Sequence, residues 1–263
     1  MAMVYSRGSR GAGEPGSVQS LHVSGRKPVV AIEACGLNRD GGEYRCQQPL
    51  NLYKTPRLEG LVTQAAAGRQ LWLADSPEQG AWAVTLCADN YSGWISDRDR
   101  TTLAPAARPY RARPLDRAAI VPRLPAVIGF THRAMATPNT YLWGGTVEPN
   151  FDCSGLMQTA FAAAGICLPR DSYQQEAFTQ PIAWDDLEPG DLVFFGTPDR
   201  TKHVGLYLGQ GNYIHSSGID QGRNGIGIDS LVDLAHPVSA AYYPQRRRPG
   251  RVMASYCPGN LVG

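Results

Sequence analysis

The Pro- and Arg-rich stretch at residues 104–114 divides two segments whose hydrophobic patterns belong to different architectures. Before it, short apolar runs such as Leu50–Tyr53, Gln70–Leu73, Ala81–Leu86 and residues 93–95 are separated by Pro, Gly, Asp and Asn. Runs this short and this closely spaced predict the strands of a small β-barrel. After it, helical periodicity comes first, over residues 118–136 (interrupted by Pro122 and Pro125) and 153–164. The second helix places Leu156, Ala160, Ala163 and Ala164 near one face and meets Gly165 as its stop. Strand-like runs follow at residues 191–195, 203–208, 212–215 and 225–228. Helices first and antiparallel strands after is an α+β pattern. The expected organisation is a disordered tail over 1–37, a barrel over 38–103, a linker over 104–117, an α+β domain over 118–245 and a tail over 246–263. The Arg246-Arg-Arg248 run is expected to be solvated, since three charges are too few for a nucleic-acid patch.

Charge and cysteine content narrow the function classes. With 25 basic and 23 acidic residues, the net charge of +2 gives no argument for nucleic acid as a partner. No window approaches a membrane span, and residues 1–27 lack the apolar core of a signal peptide. A cytoplasmic, monomeric protein with no membrane partner is the expectation. The six cysteines form no CxxC pair, which argues against structural zinc, and free thiols in a reducing compartment are the simplest reading.

One cysteine stands apart. Asp152 is a good N-cap, so Cys153 opens the first turn of the second helix, where the helix dipole favours a thiolate. Cysteines so placed reach pKa values of roughly 3.5–7.5. Downstream, His203 begins a strand and His215 ends the next, with Gly209-Gln-Gly211 between them. If all three of these residues lie outside the ladder, Gly205 stands opposite His215 and His203 is its diagonal neighbour on the same face, about 7–8 Å away at Cα. A two-residue loop would put the imidazoles on opposite faces. Gly205 leaves room for a ring. The arrangement makes Cys153 a nucleophile, His203 its general base and His215 the group that orients His203. The N–H of Cys153 is available to an oxyanion. Tyr141 is placed at the approach to the thiol and Trp143 in core packing. The other cysteines, and His22, His132 and His236, are assigned structural or surface roles. A metal site at His203 and His215 lacks a third ligand at the right spacing, and no cofactor is expected.

The chain resembles the NlpC-type cysteine peptidases, cell-wall endopeptidases with a papain-like α+β fold. The resemblance rests on Tyr141-Leu-Trp-Gly-Gly145, Asp152-Cys-Ser-Gly155, Leu168-Pro-Arg-Asp-Ser-Tyr-Gln-Gln175, Leu187-Glu-Pro-Gly-Asp-Leu-Val-Phe-Phe195, His203-Val-Gly-Leu-Tyr207 and Tyr213-Ile-His-Ser216, in family order. The β segment before them resembles a bacterial SH3-like barrel, through Leu50-Asn-Leu-Tyr53 and Asp89-Asn-Tyr-Ser-Gly-Trp94. The nearest resemblance is to the cyanobacterial-type subgroup. It implies hydrolysis of the γ-D-glutamyl-diaminopimelate bond in murein peptides with a free N-terminal L-Ala, during turnover or recycling of wall peptides. It also implies a Cys153–His203–His215 triad and substrate contacts from Tyr91, Asp89, Tyr141, Asp152, Ser154, Arg170, Asp171 and Ser172. Asp89 and Tyr91 are expected at the L-Ala ammonium, although Asn90 stands where relatives often carry a second acid. Arg170 is expected to grip a carboxylate, from the substrate or from Asp171. The rival functions are a broader wall-cutting endopeptidase, a muramoyl-peptide amidase, an acyl transferase and a non-catalytic murein-peptide binding protein.

Overall fold

A computed structural model describes residues 42–258, so the expected N-terminal tail at 1–37 lies outside the described residues. The first half is a seven-stranded antiparallel sheet. Its strands are β1 (Glu43–Cys46), β2 (Leu50–Tyr53), β3 (Leu61–Ala65), β4 (Gln70–Leu73), β5 (Ala81–Leu86), β6 (Ser92–Ser96) and β7 (Leu103–Pro105), with a short helix α1 (Asp97–Arg100) before β7. The order is β3-β2-β6-β5-β4-β1-β7. Period-2 alternation explains the core: Leu50 and Leu52 turn inward while Asn51 is exposed, and they meet Leu71, Leu73, Val84, Leu86 and Ile95. The expected boundary at 103/104 cuts through β7. Its residues Leu103, Ala104 and Pro105 pair with Cys46, Arg45 and Tyr44 of β1, so the ladder continues into the stretch read as linker.

The second half opens with α2 (Arg117–Ile120), a 3-10 turn over Val121–Arg123, and α3 (Leu124–Ala136). Pro122 and Pro125 break the expected single helix into these pieces, because proline removes an amide donor and crowds the preceding turn. A two-stranded ribbon, β8 (Thr146–Val147) and β9 (Asn150–Phe151), leads into α4 (Cys153–Ala163), followed by α5 (Ser172–Phe178). Then come β10 (Gln180–Pro181), β11 (Leu192–Thr197), β12 (Arg200–Gly209), β13 (Asn212–Ser217), β14 (Gly225–Ser230), α6 (Pro237–Tyr242) and β15 (Arg246–Arg251). They form a six-stranded antiparallel sheet in the order β10-β15-β11-β12-β13-β14.

β11 is buried on both faces. Leu192 and Phe194 join Val127, Leu156, Phe161, Val204 and Ile214 in the core under α3 and α4. Val193 and Phe195 join Tyr213, Val238 and Tyr242 beneath α6. On α4, Leu156 and Ala160 face the core as expected, but Ala163 is exposed and Met157 and Phe161 fill the face instead.

The expected tail at 246–263 is corrected, since it opens with a strand; of its basic run, Arg246 is exposed as expected and Arg247 and Arg248 are half-buried. Arg246, Arg247 and Arg248 belong to β15, which lies inside the sheet between β10 and β11. Arg247 and Arg248 both reach the buried carboxylate of Glu176 on α5, and Arg246 lies over the Tyr243 ring at 3.5 Å. At these three residues β15 pairs only with β11, and the Glu176 carboxylate and the Tyr243 ring hold the arginines there.

Both halves belong to one compact unit. Gln64 of β3 bonds the backbone of Thr146 and Val147, and Arg170 donates from Nε to Thr63 Oγ1 at 2.9 Å. Among the described residues, no helix is long and apolar enough to cross a membrane.

Candidate active site

Asp152 caps α4 by accepting from the N–H of Gly155 at 2.7 Å, which fixes Cys153 as the first helical residue. Gly155 is required there by close approach: a Cβ would lie 2.0 Å from the carbonyl oxygen of Gly145. Cys153 is only 6 % exposed. The backbone amides of Val204 and Ser154 lie near its sulfur, and α4 packs on β12, the strand that carries His203. Burial pushes the thiol up to about 12, and the Asp152 carboxylate adds to the effect. Burial thus opposes the thiolate that the helix start favours.

The histidines meet as the register argument required, but by another route. Gly209 pairs with Asn212, so the turn has only two residues, Gln210 and Gly211, both in the left-handed region at φ 55° and 78°. A register shift between Tyr207 and Gly209 leaves Leu208 as an extra residue. That bulge restores the frame, and Leu206 faces Ile214, which sets Gly205 against His215. A Cβ on Gly205 would stand 2.7 Å from the Tyr213 ring and 3.3 Å from the His215 Cβ, so the glycine makes the space.

The imidazoles form a directed chain. His203 Nε2 is 2.6 Å from His215 Nδ1, and His215 Nε2 is 2.7 Å from Asp229 Oδ2. Asp229 is an acceptor, so His215 donates from Nε2, accepts at Nδ1 and receives the Nε2–H of His203. The lone pair of His203 is thereby left on Nδ1, which lies 3.4 Å from the Tyr242 hydroxyl. Tyr242 also stacks on the His203 ring at 4.4 Å. Burial and the neighbouring His215 hold His203 well below the ordinary imidazole range. Burial also lowers His215, although its bond to Asp229 opposes this. Burial works to raise Asp229, but its bonds to His215 and Arg223 prevail and hold it low. Arg223, His236 and Ser239 surround the same carboxylate. His236, read as structural or surface, thus serves this carboxylate.

The sequence reading missed Asp229 and Tyr242. Asp229 lies one residue beyond the run read as a strand at 225–228, and β14 carries it opposite Tyr213. A carboxylate at the inward position after Gly225-Ile-Gly-Ile was the available signal. Tyr242 carried none, since the short α6 has no strong periodicity.

A cleft of about 550 Å³ runs over Cys153, and both halves of the chain line it. Tyr91, Tyr141, Asp171 and Ser172 stand on its wall. Tyr91 donates to Asp171 at 3.2 Å across the seam. Burial raises the Asp171 carboxyl, while Arg170 and the Tyr91 bond counter part of the shift. Trp143, assigned to core packing, is 72 % exposed at this cleft instead.

Arg170, Asp152 and Ser154 form a closed network in the floor. Arg170, 2 % exposed, meets both Asp152 oxygens at 3.1 and 2.6 Å and Ser154 Oγ at 2.9 Å. The carboxylate that it grips is therefore Asp152, neither Asp171 nor a ligand. Asp89 is likewise corrected. Its carboxylate turns away from the cleft and is held by Arg69 at 3.0 Å and Gln158 at 2.8 Å, on the wall of a separate cavity. Asn90, with φ 57°, turns the chain sharply between Asp89 and Tyr91 and separates their sites.

Comparison with known proteins finds two families along the chain. Residues 138–246 match the NlpC/P60 family, and residues 52–99 match the bacterial dipeptidyl-peptidase SH3 domain. Among curated proteins, the probable endopeptidase p60 of Listeria monocytogenes is 43 % identical over 91 residues, covering 35 % of this chain and 18 % of its own length. The bifunctional muramidase/DL-endopeptidase CwlT of Bacillus subtilis is 45 % identical over 102 residues, covering 36 % and 31 %. The chain thus spans less than a third of the length of either relative. Among solved structures, the peptidoglycan hydrolase RipB of Mycobacterium tuberculosis is 27 % identical, with 53 % of this chain and 69 % of that one covered and a TM-score of 0.42. Residues 138–246 are a domain of the NlpC/P60 family, preceded at residues 52–99 by a bacterial SH3 domain.

Proposed function

We propose that the chain is a cysteine peptidase of papain-like build that hydrolyses the γ-D-glutamyl-diaminopimelate bond of short murein peptides with a free N-terminal L-Ala. The SH3-like barrel supplies one wall of its cleft. The observation that carries the reading is the hydrogen-bonded chain from Asp229 through His215 to His203, which leaves a base nitrogen on the strand whose next amide lies near the Cys153 sulfur.

The chemistry starts from a neutral pair. His203 takes the thiol proton at Nδ1 as the sulfur attacks the γ-carbonyl carbon of D-Glu. The Cys153 N–H holds the oxyanion that forms. The imidazolium gives its proton to the leaving amine, the C–N bond breaks and a thioester remains. His203 then deprotonates a water that attacks the thioester, which releases the acid and restores the thiol. His215 and Asp229 fix the tautomer and stabilise the imidazolium.

Asp171 and Tyr91 form the acceptor pair for the L-Ala ammonium, in place of the expected Asp89 and Tyr91. Tyr141 and Ser172 contact the peptide, and Asp152, Ser154 and Arg170 act by holding the helix start. A cytoplasmic role in turnover of wall peptides fits a cleft that both halves narrow. Mass spectrometry of products from L-Ala-γ-D-Glu-diaminopimelate tests the proposal. Release of diaminopimelate that persists in Cys153→Ala sinks it. Equal cleavage of a peptide with a blocked N-terminus removes the ammonium role of Asp171 and Tyr91. Cleavage of intact sacculi in preference to free peptide favours the broader wall-cutting enzyme.

A further inference from the structure

The buried Asp152–Arg170 pair cancels its own charge, so the field in the cleft is set by the other ionised groups on its wall. These are one acid, Asp171, and three bases, Lys54, Arg200 and Lys202. All three bases are exposed, and none makes an ion pair or a side-chain hydrogen bond among the described residues. Asp171, the proposed ammonium acceptor, already accepts from the Tyr91 hydroxyl, and the three bases outnumber it on the wall. The chain as a whole is nearly balanced at +2, so this is a local concentration of positive charge.

Position sharpens the point. Arg200 and Lys202 are alternate residues of β12, both facing outward, and Lys202 immediately precedes His203. Buried Thr201 between them is anchored to Glu176, which holds this end of the strand to α5. Lys54 follows β2 and comes from the other half of the chain. Two walls thus present unpaired cations to whatever lies over the thiol.

We propose that Lys54, Arg200 and Lys202 form an anion subsite that makes the cleft select peptides bearing free carboxylates over the same peptides with those groups amidated. The inference rests on the peptidase reading and specifies its substrate further. A carboxylate accepts charge-assisted hydrogen bonds from ammonium and guanidinium groups. A carboxamide of the same shape loses the charge and brings N–H donors up against cations, which is repulsive. Each exposed contact is weak alone and screened by salt, but three converging on one cleft act together.

The test uses L-Ala-γ-D-Glu-diaminopimelate with its carboxylates free and the same peptide amidated at the D-Glu and diaminopimelate α-carboxyls. The free acid is expected to show a KM about tenfold lower, with kcat within about twofold, and the gap is expected to narrow as salt rises. Arg200→Ala and Lys54→Ala, on separate walls and away from the reacting atoms, are each expected to raise KM for the free acid and leave the amidated peptide nearly unchanged. Arg200→Glu is expected to reverse the preference. Calorimetry on the Cys153→Ala protein gives a second readout that needs no turnover. Preference for the free acid in binding but no cleavage by the wild type supports the subsite and defeats the peptidase reading. Equal kcat/KM and equal affinity for both peptides overturns the subsite while Cys153-dependent cleavage upholds the peptidase.

Discussion

The two sides of the cleft are built on opposite principles. On one, Cys153, His203, His215 and Asp229 are withdrawn from water, and the histidine chain is closed by bonds of 2.6 and 2.7 Å. On the other, Tyr91 meets Asp171 across the seam between the two halves, with Lys54, Arg200 and Lys202 unpaired around them. Burial fixes the hydrogen-bonded order of the histidines and disfavours charge on Cys153 and His203. Exposure leaves charges free to meet a ligand. The reactive groups all come from the second half, whereas the first half contributes Tyr91 and Lys54 to the wall. Chemistry and selection are therefore separable, and substitutions on the two sides should leave different signatures.

The largest effect expected is from Cys153→Ala, which removes the nucleophile and should lower kcat by at least about 10³-fold with substrate affinity retained. Rates near the wild type would break the comparison at its root. Asp229→Asn should follow, with a loss of about 10²-fold or more in kcat and little change in KM, because His215 would no longer be held as an Nε2 donor. A change confined to KM would place Asp229 on the selective side instead.

Arg170→Met tests the floor that the two sides share. It leaves Asp152 buried without its cation, and a loss of about 3–5 kcal/mol in denaturant unfolding is expected. A stable variant that fails only in binding would return Arg170 to the substrate.

The pH profile sharpens the buried side. His203 must be neutral to accept a proton, and its folded pKa lies below the ordinary 6.5. Activity should therefore persist as pH falls past 6.5 and be lost only as pH passes through the lowered value. The thiol is pushed up to about 12, so no alkaline loss from Cys153 ionisation is expected through pH of about 9. An acid limb in kcat/KM at or above 6.5 contradicts this. The smallest effect belongs to the exposed wall. Tyr91→Phe removes one hydrogen-bonding group and should raise KM for free-amine peptides by about fivefold with kcat unchanged. An equal rise for N-blocked peptides would mean that Tyr91 serves packing.

What was legible in the sequence follows the same divide. Cys153, His203 and His215 could be read because local rules place them: an N-cap sets the helix start, and strand alternation sets which side chains share a face. Even there, the hairpin reached its frame through a bulge at Leu208 that no local rule announced. The wall was less legible. Asp89 was read as the ammonium partner and Asp171 as a further contact or a partner of Arg170, and their surroundings form only when both halves fold. Arg69 and Gln158 claim one, while Tyr91 leaves the other at the cleft. Arg170 was misread for the same reason, since its partners Asp152, Ser154 and Thr63 converge only after both halves fold. Asp229 escaped because the strand that carries it was read one residue short.

The interior position of β15 has a consequence for the order in which the protein is made. By the time Gln245 has left the ribosome, the nucleophile, both histidines and Asp229 have all been synthesised. The six-stranded sheet still lacks the strand that joins β10 to β11. The cysteine, both histidines and Asp229 are present before the framework that aligns them can close, and closure waits on a strand that carries none of them.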